Sequence, residues 1–390
     1  MTDMSGAVSD RSPERVPTAR KAGVVLVIVV AALTAVGCTL APKEARLVAQ
    51  DLAAGPASTE FKEITATPSR RTVTFSGEKQ SYRADLYAPG PVPEAGILLM
   101  PGAAEQGKDD PRLVNTAKTL ARARFLVLVP DIPGLRRLQV TPANIQHVMD
   151  AISYLASGRD FPSPPRIGAG AFSYAVGPVL LAARRPDLAG QVDFVVGVGG
   201  YYDLEEVLTF ATTGYYRQQD EWQYRRPNEY GKWVFVLSNL SRLADSDDRR
   251  TLRRLANWHL AGRPGPQPEV GLSGEALDVY RFVTNDDPDR VPALIGKLPL
   301  AIREAIRELD LANRDLSSLK ADLILVHGRR DDIIPFTQSV RLAEALPKGQ
   351  TELFILEGLL HVNVSALSIF DQNRMAHAVD SLLRQRVTAP

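Results

Sequence analysis

From about residue 71 onward, short apolar runs recur between polar turns. Residues 71–75 and 81–87 alternate apolar with polar positions, the period of strands with one covered face. Residues 96–100 (Gly-Ile-Leu-Leu-Met) and 125–129 (Phe-Leu-Val-Leu-Val) are continuously apolar, which suits strands covered on both faces. Helical spacing fills the gaps, over 111–124, opened by Pro111, and over 141–157, where Thr141-Pro142 makes a helix start. The alternation continues with a strand at 166–172, a helix at 174–185 and a strand at 192–198. It then stops. Residues 201–320 have helical and loop texture, aromatic clusters and no pattern of a buried strand, and only afterwards do strands (322–326, 352–356) and helices (335–346, 365–384) return. The pattern predicts an α/β chain with a mainly parallel sheet flanked by helices, and a helical cap inserted between two core strands.

Upstream, Arg20-Lys21 precede an apolar run from Ala22 to Val36, the layout of an export signal. At roughly 15 residues the run is short for a spanning helix, which needs about 20, although continuing it to Ala41 approaches that length and leaves a signal anchor open. The stretch Leu33-Thr34-Ala35-Val36-Gly37-Cys38 resembles a bacterial lipobox, with Ala35 where Leu is usual. That resemblance implies a lipidated Cys38 at the mature N-terminus, membrane anchorage and an exported, extracytoplasmic or periplasmic location. Residues 39–70, rich in Ala, Pro, Ser and Thr, read as a tether. The expected organisation is therefore 1–37 signal peptide, 38–70 lipidated tether, 71–200 first part of the core, 201–320 cap and 321–390 second part of the core.

Composition narrows the chemistry. A chain of 390 residues, 45% hydrophobic and 23% charged, can bury a large core. Its formal net charge of +1 supplies no field for gathering nucleic acid, and its single cysteine excludes an internal disulfide framework and a cysteine-rich metal site. Oxygen and nitrogen groups must carry any catalysis, with no cofactor or metal implied and a small, largely neutral molecule as partner.

Three segments supply such groups. Ala171-Phe172-Ser173-Tyr174-Ala175 lies where a strand meets a helix, and a nucleophile on so sharp a turn needs small residues two before and two after it. By itself the serine could equally be a helix cap. Asp331 and Asp332 follow the strand 322–326, and working groups of open α/β sheets gather at the carboxyl ends of strands. His361 follows the last strand, completing the order Ser, Asp, His.

With these three in place the sequence resembles the α/β-hydrolase family, in particular its capped, dienelactone-hydrolase-like and esterase-like members. The likeness spans about 71–384 and is carried by His327-Gly328-x-x-Asp331-x-x-x-Pro335 and Gly358-x-x-His361. It departs from the usual Gly-x-Ser-x-Gly at both Ala171 and Ala175. The resemblance implies Ser173 as nucleophile, His361 as base and then acid, and Asp331 as the group that orients His361. It also implies an oxyanion hole from the backbone N–H of Tyr174 and one from the loop after the strand 96–100, at Ala103 or Ala104, with Ala103 preferred; Pro101 stands where the family often has His. An acyl substrate follows, and the cap aromatics Trp222 and Tyr224 are expected to bind it. A non-catalytic binding or scaffold lipoprotein on the same fold is the competing expectation.

Overall fold

The computed structural model describes residues 40–161, 163–188, 190–263, 271–364 and 367–386. The expected signal segment and Cys38 lie outside the described residues, among which no helix is long and apolar enough to cross a membrane.

The first described elements correct the tether expectation. Helices α1 (Lys43–Ala54) and α2 (Glu60–Ile64) fold onto the flank of the sheet, with Ala45, Val48 and Phe61 buried. Asp51, wholly buried, joins them: it takes Lys62 Nζ at 2.8 Å, Thr119 Oγ1 at 2.6 Å and the hydroxyl of Thr59. Apolar positions at 45, 48 and 49 give α1 one sticky stripe, and a helix this short holds by packing that stripe.

Eight strands form the sheet: β1 (Ser69–Ser76), β2 (Ser81–Ala88), β3 (Ala95–Met100), β4 (Phe125–Pro130), β5 (Ile167–Phe172), β6 (Phe194–Val198), β9 (Asp322–Gly328) and β10 (Thr351–Leu356). Their spatial order is β1-β2-β4-β3-β5-β6-β9-β10, and β2 alone runs against the rest. Helices cover both faces, so successive residues of a central strand enter different cores. Leu98 and Met100 pack with α4 (Ala143–Ser157) and α5 (Val176–Ala183). Ile97 and Leu99 pack with α1, α3 (Pro111–Arg122) and α12 (Ile369–Arg384). Each such aliphatic side chain contributes about 1.5–3 kcal/mol by leaving water, which explains why these strands are apolar on both sides.

Between β6 and β9 the chain builds the cap from α6 (Leu204–Thr213), α7 (Tyr230–Asn239), α8 (Ser246–Leu260), α9 (Gly274–Val283), α10 (Val291–Lys297) and α11 (Leu300–Leu309). The cap has a core of its own around Trp233, Leu252, Phe282 and Ile302. It also contains a hairpin, β7 (Tyr215–Gln218) with β8 (Glu221–Tyr224), where helix and loop alone were expected. The two chain crossings into the cap are stitched together: Leu311 and Ala312 donate to the carbonyl of Tyr202, and Tyr201 Oη donates to that of Leu309 at 2.7 Å.

Candidate active site

Ser173 sits on the turn between β5 and α5 with φ +55°, a left-handed conformation that a side-chain-bearing residue adopts at a cost of order 1–3 kcal/mol. Ala171 and Ala175, both about 1% exposed, give the turn its room, the need that small flanking residues were expected to meet. Asp331 leaves β9 in a tight loop and is fully buried. Its Oδ1 accepts the N–H groups of Ile333 and Ile334 at 2.8 and 2.9 Å.

His361 lies beyond β10 at the tip of a two-residue ribbon, again with positive φ (+49°). Two glycines make its position possible. A Cβ on Gly328 would lie 2.0 Å from the carbonyl oxygen of Leu359, and one on Gly199 (φ +63°) would press within 3.3 Å of His361 Nδ1.

The three side chains meet. His361 Nδ1 lies 2.8 Å from Asp331 Oδ2, and His361 Nε2 lies 2.8 Å from Ser173 Oγ. A carboxylate can only accept, so the ring proton sits on Nδ1 and Nε2 is left to accept from the serine hydroxyl. Burial pushes the Asp331 carboxyl up, but hydrogen bonds from His327 and His361 outweigh it and hold the group well below the usual carboxylate range.

One antiparallel strand in an otherwise parallel sheet, a serine on the turn after β5, and an acid and a histidine after β9 and β10 complete a recognisable arrangement. The chain has the α/β-hydrolase fold.

No protein-family model matches this α/β-hydrolase-fold chain, and no curated protein matches its sequence. Solved structures resemble it at low identity. An esterase of Pyrococcus furiosus is 12% identical with a TM-score of 0.46, the match covering 82% of this chain and 92% of that one. A dienelactone hydrolase of Anabaena variabilis is 14% identical with a TM-score of 0.41, covering 82% and 95%. The esterase domain of a Rhodothermus marinus protein is 16% identical with a TM-score of 0.44, covering 82% and 98%.

Within the hydrolase fold, a cavity of about 690 Å³ opens beside Ser173 and His361, between sheet and cap. Ala103 and Tyr174 line it next to the serine, as does Ala104. The loop carrying Ala103 is braced from below by Lys108, whose Nζ meets the buried Asp85 at 2.9 Å, and from above by Tyr230 of α7, whose hydroxyl donates to the Ala103 carbonyl.

Trp222 and Tyr224 are elsewhere. Neither lines the cavity: Trp222 stacks under the Arg217 guanidinium at 4.2 Å, and Tyr224 is 62% exposed. The hairpin that holds them leads into Arg225, whose Nη1 donates to the Asp331 carbonyl at 2.9 Å, so this part of the cap clips the acid loop. The apolar side chains that line the cavity from the cap include Val207, Leu208, Val234, Phe235 and Ile306 instead.

His327, taken in the sequence only as part of a spacing motif, touches the triad. Its Nε2 is 2.9 Å from the carbonyl of Ile334, which can only accept, so that nitrogen carries the proton; the same N–H faces Asp331 Oδ2 at 3.2 Å. Ser339 Oγ, at 2.7 Å, serves Nδ1. His327 thus holds from behind the oxygen that His361 uses in front.

Proposed function

We propose that this chain is a serine hydrolase acting on an ester-like acyl substrate. The observation that carries the reading is the unbroken run of 2.8 Å contacts from Ser173 Oγ through His361 to Asp331, beside a cavity that Ser173 and His361 both line. His361 Nε2 takes the hydroxyl proton as Ser173 Oγ bonds to the substrate carbonyl carbon. The oxyanion that forms is met by the backbone N–H of Tyr174, at the start of a helical turn, and that of Ala103. His361 returns the proton to the leaving group as the carbon–leaving-group bond breaks. Water, deprotonated by the same nitrogen, then releases the acid and restores Ser173. Asp331 orients the ring and stabilises the imidazolium between the proton transfers.

Activated esters test the reading. With p-nitrophenyl butyrate, the full chain should release a burst of nitrophenol matching the enzyme concentration and then turn over, and Ser173→Ala should do neither. Binding without turnover in the wild type would point instead to a non-catalytic scaffold. Anchorage at Cys38 belongs to the same proposal, since an exported enzyme on a lipid tether would meet extracytoplasmic substrates. Intact-mass analysis of the membrane fraction should find a lipidated N-terminus at Cys38, and a retained leader would exclude it.

A further inference from the structure

The walls of the cavity say what kind of group can enter it. On the cap side they are Leu204, Val207, Leu208, Val234, Phe235 and Ile306, and on the core side Phe172, Ile333 and Ile334. Polar side chains interrupt this surface, yet the inward ones are already engaged. Ser238 Oγ accepts from Val140 N at 2.8 Å and donates to the Val234 carbonyl at 2.7 Å. Asn239 donates to Phe235 O at 2.9 Å and accepts from Arg242 at 3.3 Å. The Tyr201 hydroxyl is committed to Leu309 O, that of Tyr230 to Ala103 O, and that of Tyr174 lies 3.2 Å from Thr141 O and 3.3 Å from Asn144 Oδ1. The Asp110 carboxylate is held by Arg112 at 2.7 Å. Thr116 Oγ1 donates to Arg112 O at 2.9 Å, and the exposed polar members Glu105, Gln106, Asn228 and Arg112, the last paired with Asp110, lie on the solvent side.

Resting on the acyl-transfer reading, we propose that this cavity takes an uncharged hydrocarbon group attached to the reacting ester, and rejects groups bearing hydroxyl or carboxylate substituents. A buried hydroxyl entering here would give up water and find its potential partners occupied; a carboxylate would lose more. A methylene only gains. The selectivity therefore comes from hydrogen bonds that close within the protein, and Val207 and Phe235, both partly exposed into the space, set its depth.

Either the acyl or the alcohol half can supply the hydrocarbon, and two substrate series separate these sources. In one, p-nitrophenyl esters run from acetyl to octanoyl, with 6-hydroxyhexanoyl and the adipic half-ester as polar matches. In the other, acetates of methanol through octanol are paired with the monoacetate of 1,6-hexanediol. In whichever series places its chain in the cavity, kcat/KM should climb by up to about fourfold per added methylene. It should fall about tenfold or more on adding the terminal hydroxyl, and further for the carboxylate. Val207→Trp should shorten the preferred chain, and Phe235→Ala should lengthen it. A flat response in both series, or preference for the polar matches, would overturn the proposal while leaving the hydrolase reading intact. Loss of all turnover together with absence of the Ser173 acyl-enzyme would overturn both.

Discussion

On the core side of the cavity, the proposed chemistry rests on a chain of hydrogen bonds from Ser173 through His361 to Asp331. Ser173, Asp331 and His361 come from three separate strand ends, two of them in left-handed conformations, and each polar atom of the set points to the next. On the cap side Ser238 and Asn239 donate to carbonyls of their own helix and Tyr230 to that of Ala103, while Val207, Leu208 and Val234 line the space. The comparison teaches where substitutions should act. Changes on the floor should alter turnover of every substrate, whereas changes in the roof should redistribute rates among them.

The largest break is expected at the acid. Asp331→Asn should lower kcat/KM by up to about 10⁴-fold on all esters, because the ring loses the carboxylate that fixes its tautomer and stabilises its charge. Asp332→Asn, one residue along, should cost little, since Asp332 is partly exposed and it is its backbone carbonyl that bonds, to Asn228 N at 2.7 Å. Steady-state kinetics on both variants, with circular dichroism as the folding control, decides between them. His327→Asn should fall between the two, at roughly tenfold, the scale of one hydrogen bond to a charged group.

A stability measurement sharpens the same side. The depressed Asp331 carboxyl contributes stability that is fully present above the unfolded carboxylate value, near 4, and is lost as pH falls through its lower folded value. The Tm difference between wild type and Asp331→Asn should therefore be widest near neutral pH and narrow below about pH 4. A gap that widens in acid would contradict the hydrogen-bonded, ionised state assigned to Asp331.

The smallest effects should come from the cap's outer hairpin. Trp222→Ala and Tyr224→Ala should leave the ranking of ester substrates unchanged, because neither residue lines the cavity. A reordered ranking would return these aromatics to the substrate site.

Legibility in the sequence follows the same division. Core strands announced themselves because burial on both faces demands unbroken apolar runs, and the triad because strand ends mark where working groups gather. The cap hairpin has strands of four residues, half of them exposed, joined by Gln219 and Asp220, which both take positive φ without the glycine that usually signals such a turn. Nothing local in the sequence distinguishes it from loop or shows that its aromatics pack on Tyr215 and Arg217. For α1 the signal existed: Ala45, Val48 and Ala49 keep helical spacing, but an Ala- and Pro-rich composition outweighed it. His327 could not be placed behind Asp331 from sequence, because their contact depends on the turn at 328–334.

Fluorophosphonate labelling followed by peptide mass mapping tests Ser173 as the nucleophile, since the probe captures only a serine whose oxygen is already activated by its neighbours. The account predicts a single stoichiometric adduct on the peptide containing Ser173, absent in Ser173→Ala and strongly slowed in Asp331→Asn. Labelling that persists in Ser173→Ala, or a folded wild-type chain that takes no label, would contradict it.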